Sequence, residues 1–460
     1  MYQIKFDEPV HVHFIGIGGI SMSGLAEILL SRHFTVSGSD SKESGLTKKL
    51  VEEGAVVNYP QKAENITDDI DVVVYTAAIH PDNPEFAAAE KAGIPMLTRA
   101  QLLGELMRNF KQAINVSGTH GKTTTTSMIT EILLEADADP TVSVGGMLKD
   151  IGGNIRVGGQ DTFVVEACEY TNSFLSFFPT IEVILNVEAD HLDFFKDIDD
   201  IRHSFRLFAE KLPEDGLLVI NSDIKHYDYF TSGLKCRCVT YGHDKDADYT
   251  ANFISYDKFA HPTYTLFYKG SEIAKVELGV TGEHNIYNSM AAIAVCRDLG
   301  IEMDAILRGL RRFSGTDRRF QKKGSVNGFT IIDDYAHHPQ EIEATLRAAL
   351  HYPHKKVWCI FQPHTYSRTR AFLDDFAKAL SLADGVVLAD IYAARETNTF
   401  GVSSEDIVLR LEKMGKDAWF LPTFVEIEDF VRKNCVPGDL LITMGAGDIV
   451  KVGEELLKDM

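Results

Sequence analysis

The chain has 460 residues, of which 45% are hydrophobic and 25% charged, a composition typical of a globular protein of roughly three domains. Asp and Glu number 67 against 46 Lys and Arg, and the formal charge of −21 excludes a general electrostatic attraction to nucleic acid or to an anionic membrane. No run of about 18 apolar residues occurs and residues 1–9 lack the apolar core of a signal peptide, so we expect a cytoplasmic protein without membrane insertion.

Short apolar runs alternate with amphipathic stretches in three successive blocks, and this alternation predicts an α/β fold with parallel sheets. We expect a Rossmann-like N-terminal domain at residues 1–110, a central P-loop ATPase-like domain at residues 111–313 and a smaller C-terminal α/β domain at residues 314–460. Residues 235–280 are rich in Tyr, Thr, Val and Phe, which favours an antiparallel appendage on the central sheet.

In the first block, an apolar strand at residues 11–17 leads into a glycine cluster that opens a helix. Glycines at such a turn let the backbone approach a pyrophosphate, and the helix N-terminus supplies free N–H groups. Asp40 ends the next strand, where a carboxylate can bind a ribose hydroxyl. The dinucleotide fingerprint has glycine where this sequence has serine, so a tight strand–helix corner without a ligand stays open as an alternative. The cluster contains Gly16, Gly18, Gly19 and Ser21.

The second block opens with a strand at residues 113–117 and continues into a phosphate loop. Successive N–H groups there form an anion cradle, Lys122 can reach the outer phosphates of a nucleotide, and the Thr123 hydroxyl can bind magnesium. Only two residues separate the glycines, which is not the Walker spacing, and a chance Gly-Lys-Thr turn is the alternative. The loop comprises Gly118, Thr119, His120, Gly121, Lys122, Thr123 and Thr124.

Two further strands of this block bring polar groups to the same predicted sheet edge, where ligands of parallel sheets bind. Glu166 ends the strand at residues 162–166 and could hold the magnesium that bridges nucleotide phosphates. His191 follows the next strand. Since magnesium prefers oxygen ligands, a structural role for His191 stays open beside direct metal binding.

The remaining motifs lie after residue 280. Asn285 and Asn288 open a helix, where amides could read a purine edge or simply cap the helix. Arg318 lies in the polar connection at residues 313–320 and could equally be an ordinary linker charge. Two polar clusters, residues 333–339 and 362–368, each follow a strand of the third block, and their density of His, Arg and Asp favours a site.

Taken in this order, the motifs resemble the Mur ligase family of bacterial cell-wall synthesis over essentially the whole chain. The phosphate loop is shared by all Mur and folylpolyglutamate ligases. The N-terminal loop with its Met-Ser-Gly and the Asp-Tyr-x-His-His-Pro cluster narrow the likeness to the alanine-adding branch, with the tripeptide-recycling branch as the alternative. The matching motifs are residues 15–19, 22–24, 118–124, 188–191, 284–288, 318–321, 333–339, 361–364 and 390–395.

The resemblance implies an ATP-dependent amide ligase of peptidoglycan synthesis that uses Mg²⁺ or Mn²⁺. Its substrates would be UDP-N-acetylmuramate, L-alanine and ATP, and it would be a monomer or a homodimer. An acyl phosphate would form from the lactyl carboxylate and ATP, and the alanine amine would then displace phosphate.

The resemblance also implies roles for individual residues. Phosphoryl transfer would depend on Lys122, Glu166 and His191, and the metal would bind Thr123, Glu166 and His191. ATP would contact the phosphate loop together with Asn285, Asn288, Arg318 and Asp334. The UDP-sugar would contact Gly16, Gly18, Gly19, Ser21 and Asp40, and the amino acid Tyr335, His337, His364 and Arg368.

This sequence departs from the family pattern in places. Cys168 stands where Asp is usual, Thr365 where many relatives have Arg, and Arg206 where a carbamylated lysine would be expected. Two other classes compete. A nicotinamide-dependent oxidoreductase would leave the phosphate loop and the third block unexplained. A non-catalytic nucleotide-binding protein would not need Lys122, Glu166 and His191 together.

Overall fold

The computed structural model describes residues 2–459. The chain divides into two compact units, Met1–Tyr241 with Ala291–Glu302 and Gly242–Met290 with Met303–Met460. Within residues 2–459, no helix has the length and apolar character needed to cross a membrane. The domain boundaries near residues 110 and 314 remain predictions.

The first sheet of the first unit is parallel throughout. Its five strands lie in the order β3-β2-β1-β4-β5. β1 and β4 are buried along almost their whole length, as expected for parallel strands that are covered on both faces. The elements are β1 His11–Ile15, α1 Ile20–Ser31, β2 Thr35–Ser39, α2 Gly45–Glu52, β3 Val56–Asn58, β4 Val72–Tyr75, α3 Pro84–Ala92, β5 Met96–Thr98 and α4 Arg99–Met107.

The second sheet of this unit has the order β12-β11-β10-β6-β9-β7-β8. All neighbouring strands in it are parallel except β7 and β8. Because β6 lies between β9 and β10, the loops after these three strands meet at one edge. The elements are β6 Gln112–Ser117, α5 Lys122–Glu135, β7 Thr141–Leu148, β8 Gly153–Arg156, β9 Thr162–Glu166, β10 Ile181–Ile184, α6 Ile198–Ala209, β11 Leu217–Asn221, α7 Asp228–Thr231 and β12 Arg237–Tyr241.

The second unit contains an antiparallel ribbon of β13, β14 and β15 and a six-stranded sheet of order β16-β17-β21-β18-β19-β20. In that sheet only the β16–β17 pair is antiparallel. Helix α8 begins in this unit and ends in the first. The elements are β13 Tyr249–Tyr256, β14 Pro262–Tyr268, β15 Ser271–Glu277, α8 His284–Asp298, α9 Met303–Arg312, β16 Gln321–Val326, β17 Phe329–Asp334, α10 Pro339–Leu350, β18 Val357–Phe361, α11 Tyr366–Ala371, α12 Leu373–Leu380, β19 Gly385–Leu388, α13 Glu405–Lys413, β20 Asp417–Phe420, α14 Phe424–Asn434, β21 Leu440–Met444 and α15 Val450–Leu456.

The prediction of an antiparallel appendage at residues 235–280 is partly wrong. β12 lies inside that range but pairs in parallel with β11, and only β13 to β15 are antiparallel. Composition rich in β-formers predicts strands without their pairing direction. The sequence also did not predict β16 and β20. Both are edge strands. β16 is rich in polar residues, which weaken its strand pattern, and β20 is only four residues long.

Candidate active site

The phosphate loop after β6 depends on two glycines with positive φ. Gly118 has a φ of 139°, and a Cβ there would lie 2.9 Å from Leu185 Cβ. Gly121 has a φ of 84° and immediately precedes helix α5. Only glycine adopts such conformations readily, so the sequence folds here as a loop with its N–H groups at a helix N-terminus.

Asn186, which follows β10, fixes this loop from the neighbouring strand. Its backbone carbonyl accepts a hydrogen bond from Thr119 N at 3.2 Å. Its side-chain oxygen accepts from His120 N at 2.7 Å, and its amide nitrogen donates to the His120 carbonyl at 3.0 Å. Sequence reasoning assigned no role to Asn186, although its position at a strand end beside the loop was a usable signal.

Lys122 turns back onto its own loop. Its Nζ donates to the carbonyl oxygens of Gly118 and, at 3.0 Å, of Thr119. It also lies 3.0 Å from Glu169 Oε2. Burial lowers the pKa of Lys122, but nearby acidic groups, Glu169 foremost, raise it by more, and the net pKa lies above the ordinary value. The site therefore holds a permanent cation whose partner, Glu169, was not among the predicted site residues.

Thr123 and Glu166 contact each other directly, as expected if β9 ends beside the phosphate loop. Thr123 Oγ1 donates to Glu166 Oε2 at 2.9 Å, and Gly145 N donates to the same oxygen at 2.7 Å. A hydroxyl and a carboxylate are hard oxygen donors of the kind that Mg²⁺ prefers. These two residues fit a magnesium site.

His191 lies close to Glu169, 3.9 Å from its Oε1, with its ring 4.5 Å from that of Tyr170. Its φ of 52° is unusual for a residue other than glycine. Across residues 2–459 there is no group of three or more His, Cys, Asp and Glu side chains arranged to hold a metal ion. In this conformation His191 thus associates with Glu169 and Tyr170, and the structure does not join it to Glu166 in a ligand set.

The glycine loop after β1 is closed by an acidic side chain. Gly16 has a φ of 85°, and Gly18 N donates to Asp40 Oδ2 at 2.9 Å. A Cβ on Gly18 would lie 2.8 Å from that carboxylate oxygen and 2.9 Å from Thr47 Cγ2. Gly19 is the residue before helix α1. The predicted residues Gly16, Gly18, Gly19 and Asp40 therefore do form one loop.

Ser21 in the first turn of α1 has a cationic partner that the sequence did not predict. Arg99, the first residue of α4, donates from Nη1 to Ser21 Oγ at 3.3 Å. Burial lowers the pKa of Arg99, although a guanidinium stays charged. Because Arg99 comes from a distant segment of the chain, no local motif could have indicated it.

In the second unit, Arg318 is held at the carboxyl edge of the six-stranded sheet. Its guanidinium donates to Asp333 Oδ2 at 2.9 Å and to the carbonyls of Gly445 at 2.6 Å and Gly447 at 3.2 Å. It also lies 5.0 Å from the centre of the Tyr335 ring. These contacts contradict the alternative of an ordinary linker charge.

Asp334 is 5% exposed and accepts two backbone N–H bonds at 2.8 Å, from Phe320 and Ala336. Burial raises its pKa to about 6, against the lowering effect of Arg319 and of those two N–H groups. Asp334 thus connects the segment before β16 to the turn that follows β17.

The predicted amino-acid residues form a row of rings. The centre of the His337 ring lies 5.4 Å from that of Tyr335 and 5.8 Å from that of His364. His364 stacks on Tyr392, a residue that sequence reasoning left unassigned. Arg368 is the third residue of helix α11, and its backbone N–H donates to Thr365 Oγ1 at 3.4 Å, so Thr365 acts as the helix cap.

Asn285 and Asn288 bind each other at the start of α8. Asn288 Nδ2 donates to Asn285 Oδ1 at 2.9 Å, and Asn285 Nδ2 donates to the Thr281 carbonyl at 2.7 Å. Both side chains are buried. Both residues lie inside α8, and in these two bonds their amides donate without capping a backbone N–H, so the bonds do not support the capping interpretation.

Three models of Mur ligase domains match this chain. The Mur ligase family catalytic domain matches residues 11–111, the Mur ligase middle domain residues 116–296, and the Mur ligase glutamate ligase domain residues 318–447. A UDP-N-acetylmuramate–L-alanine ligase of Lachnospira eligens is 62% identical over 459 residues, and the match covers 100% of both sequences.

Solved structures agree with these matches. A UDP-N-acetylmuramate–alanine ligase from Thermotoga maritima has a TM-score of 0.79 and 31% identity, with 98% of each chain covered. A murein peptide ligase from Psychrobacter arcticus has a TM-score of 0.68 and 24% identity over 98% of each chain, a likeness that shows the fold alone. The predicted three-domain α/β architecture is confirmed.

Proposed function

The chain belongs to the Mur ligase family, and we propose that it joins L-alanine to the lactyl carboxylate of UDP-N-acetylmuramate, with cleavage of ATP to ADP and phosphate. The observation that carries this proposal is the 62% identity, over the whole chain, to a relative named for that activity. The recycling alternative has weaker support, because the murein peptide ligase of Psychrobacter arcticus is 24% identical and the tripeptide ligase of Neisseria meningitides is 28% identical over 68% of this chain.

The chemistry needs positioned charges more than a side-chain nucleophile. The lactyl carboxylate attacks the γ-phosphorus of ATP, the bond to the β-phosphate oxygen breaks, and an acyl phosphate and ADP form. The amine of L-alanine then attacks the acyl carbon, loses a proton, and the tetrahedral intermediate expels phosphate to leave the amide. Lys122 and the loop amides stabilise the charge on the transferred phosphoryl oxygens.

Thr123 and Glu166 would hold the divalent cation, Mg²⁺ or Mn²⁺, which supplies charge neutralisation at the nucleotide phosphates. Their contact at 2.9 Å and their oxygen chemistry support this assignment. His191 would approach as a third ligand or orient Glu169. We further propose that Gly16, Gly18, Gly19, Ser21 and Asp40 bind the UDP-sugar, and that Tyr335, His337, His364 and Arg368 bind the amino acid.

ADP release tests the function directly. With UDP-N-acetylmuramate and ATP present, L-alanine should give faster release than glycine, L-serine or the Ala-Glu-diaminopimelate tripeptide. Release that is fastest with the tripeptide would favour the recycling alternative. Release without any amine acceptor would indicate an ATPase and contradict the ligase proposal.

A further inference from the structure

Tyr170 covers the ring of His191 from a neighbouring segment of the first unit. It begins the 3₁₀ helix Tyr170–Ser176, which follows β9. The two ring centres lie 4.5 Å apart, with 31° between the ring planes. The Tyr170 hydroxyl donates to Asp193 Oδ2 at 2.8 Å. Since Asp193 lies two residues after His191, Tyr170 contacts this loop both through its ring and through its hydroxyl.

Both segments at this ring stack contain residues other than glycine with positive φ. Thr171 and Asn172, which follow Tyr170, have φ values of 55° and 56°, and His191 has a φ of 52°. The Asn172 side chain accepts a hydrogen bond from the Ser204 hydroxyl of α6, which fixes the turn after Tyr170. Such backbone conformations cost free energy and occur preferentially at functional sites. Tyr170 itself is 38% exposed, so burial does not explain why the chain holds it against His191.

The other contacts of His191 lead to the phosphate loop. Its Nε2 lies 3.9 Å from Glu169 Oε1 and 3.8 Å from Asp190 Oδ2. Glu169 Oε2 in turn lies 3.0 Å from Lys122 Nζ. Both distances from Nε2 exceed that of a hydrogen bond, so the two carboxylates do not fix the orientation of the imidazole. The ring stack with Tyr170 supplies that constraint.

We propose that Tyr170 is a positioning residue, which holds the His191 imidazole beside Glu169 and thereby keeps Glu169 and Lys122 in place for phosphoryl transfer. This role in the reaction rests on the proposed function, in which Lys122 stabilises the transferred phosphoryl group. The ring stack itself stands on the geometry of Tyr170, His191 and Asp193 alone. Because Lys122 acts in the chemical step, loss of the Tyr170 ring should reduce kcat and leave the KM for the UDP-sugar unchanged.

NMR tests the ring stack without any substrate. The ring current of Tyr170 shields protons above its face, so at a fixed pH the carbon-bound ring protons of His191 should move downfield in Tyr170→Leu. Tyr170→Phe keeps the ring and should leave these signals near their wild-type positions. The chain has 16 histidines, and the loss of one set of signals in His191→Ala assigns those of His191. Unchanged His191 signals in Tyr170→Leu would overturn the proposal.

Steady-state kinetics test the positioning role. Tyr170→Leu should lower kcat about tenfold, while the KM for UDP-N-acetylmuramate stays the same. Tyr170→Phe should recover most of this loss, because the ring remains and only the hydrogen bond to Asp193 is removed. A kcat for Tyr170→Phe as low as that of Tyr170→Leu would contradict positioning by the ring. An unchanged kcat in Tyr170→Leu would contradict it as well.

A double-mutant cycle with His191→Ala shows whether Tyr170 acts through His191. Tyr170→Leu should lower kcat about tenfold in the wild-type background but less than about twofold in the His191→Ala background. A tenfold fall in both backgrounds would mean that Tyr170 acts independently of His191, and this result would overturn the proposal.

Tyr229→Leu is the matched control, since Tyr229 is another tyrosine of the first unit, 44% exposed, on α7. It should leave the His191 signals and kcat near their wild-type values. A fall in kcat as large as that of Tyr170→Leu would contradict a specific role of the Tyr170 ring. Failure of the proposed function looks different, because the wild-type protein would then release no ADP in response to L-alanine, while the NMR result stood.

Discussion

The two glycine loops of the first unit have the same outline but opposite internal charge. Each follows a buried parallel strand and opens a helix. In the phosphate loop the cation, Lys122, is part of the loop and lies 3.0 Å from a carboxylate of Glu169. In the first loop, the Asp40 carboxylate accepts a hydrogen bond from the backbone N–H of Gly18. The cation beside this loop is Arg99, which belongs to helix α4 and donates to Ser21.

This difference separates two tasks. A loop that carries its own lysine can follow charge as it develops on a transferred phosphoryl group. A loop whose charges come from neighbouring elements is suited to holding a diphosphate that does not react. We therefore expect changes in the phosphate loop to reduce kcat and changes in the first loop to raise the KM for the UDP-sugar.

Lys122→Ala should have the largest effect. It removes the point charge from the developing phosphoryl oxygens, and we expect turnover to fall on the order of a thousandfold. Circular dichroism should be unchanged, which excludes unfolding as the cause. Near-normal turnover in this variant would contradict the view that the phosphate loop acts in phosphoryl transfer and the first loop only in substrate binding.

Thr123→Val should come next. The change keeps the shape of the side chain but removes the hydroxyl that lies 2.9 Å from Glu166 Oε2. We expect kcat to fall about a hundredfold and the Mg²⁺ concentration for half-maximal rate to rise about tenfold. Ser127→Ala, one turn further along α5, is the control. It also removes a hydroxyl, but the Ser127 hydroxyl donates to the backbone carbonyl of Thr123 and does not contact Glu166. An unchanged Mg²⁺ requirement in Thr123→Val would argue against a metal at this position.

Gly18→Val tests the first loop. Its Cβ would lie 2.8 Å from Asp40 Oδ2 and would also obstruct a pyrophosphate. The KM for the UDP-sugar should rise by on the order of thirtyfold, while the KM for ATP stays the same. Gly45→Ala, where a Cβ meets nothing within 4 Å, should leave both values near wild type. A parallel rise in both KM values for Gly18→Val would mean that the loop has a purely structural role.

Arg99→Ala should give the smallest of these effects. Loss of the guanidinium that donates to Ser21 should raise the KM for the UDP-sugar about tenfold, without changing kcat. Arg99→Lys should recover part of the loss, because it restores the charge but not the planar fork of donors. Calorimetric titration of both variants with UDP measures the change in affinity directly, without depending on turnover. An unchanged affinity for UDP in Arg99→Ala would show that Arg99 does not contribute to binding at the first loop.

The sequence predicted those parts of the site that follow from chain-local rules. A phosphate loop is a continuous motif, and the rule that parallel strands end at one edge predicted that Glu166 would lie beside Thr123, as it does at 2.9 Å. Arg99 was missed because it acts on a loop from another segment, and such a contact leaves no periodicity or spacing in the sequence. Asn186 was missed although the strand-end rule also applies to it.

Glu169 illustrates a third case. It was visible in the motif after β9 but carried no signal of its role, since only burial beside Lys122 makes it a partner. The pairing direction of β12 was mispredicted for a related reason. Composition indicates that a segment forms a strand. Which strand it pairs with, and in which direction, is determined by the whole fold. The roles given to the site residues remain predictions.

The contact between Lys122 and Glu169 has a consequence for which nucleotides the site accepts. Before a ligand binds, the ammonium is already surrounded by a carboxylate and two loop carbonyls, at Gly118 and Thr119. An entering molecule must offer enough negative charge at the lysine to compete with them. With the outer phosphates of ATP at Lys122, as proposed above, adenosine and AMP would bring no phosphate group to the lysine. The lysine would thereby select ligands by the length of their phosphate chain, before any part of the protein reads the base.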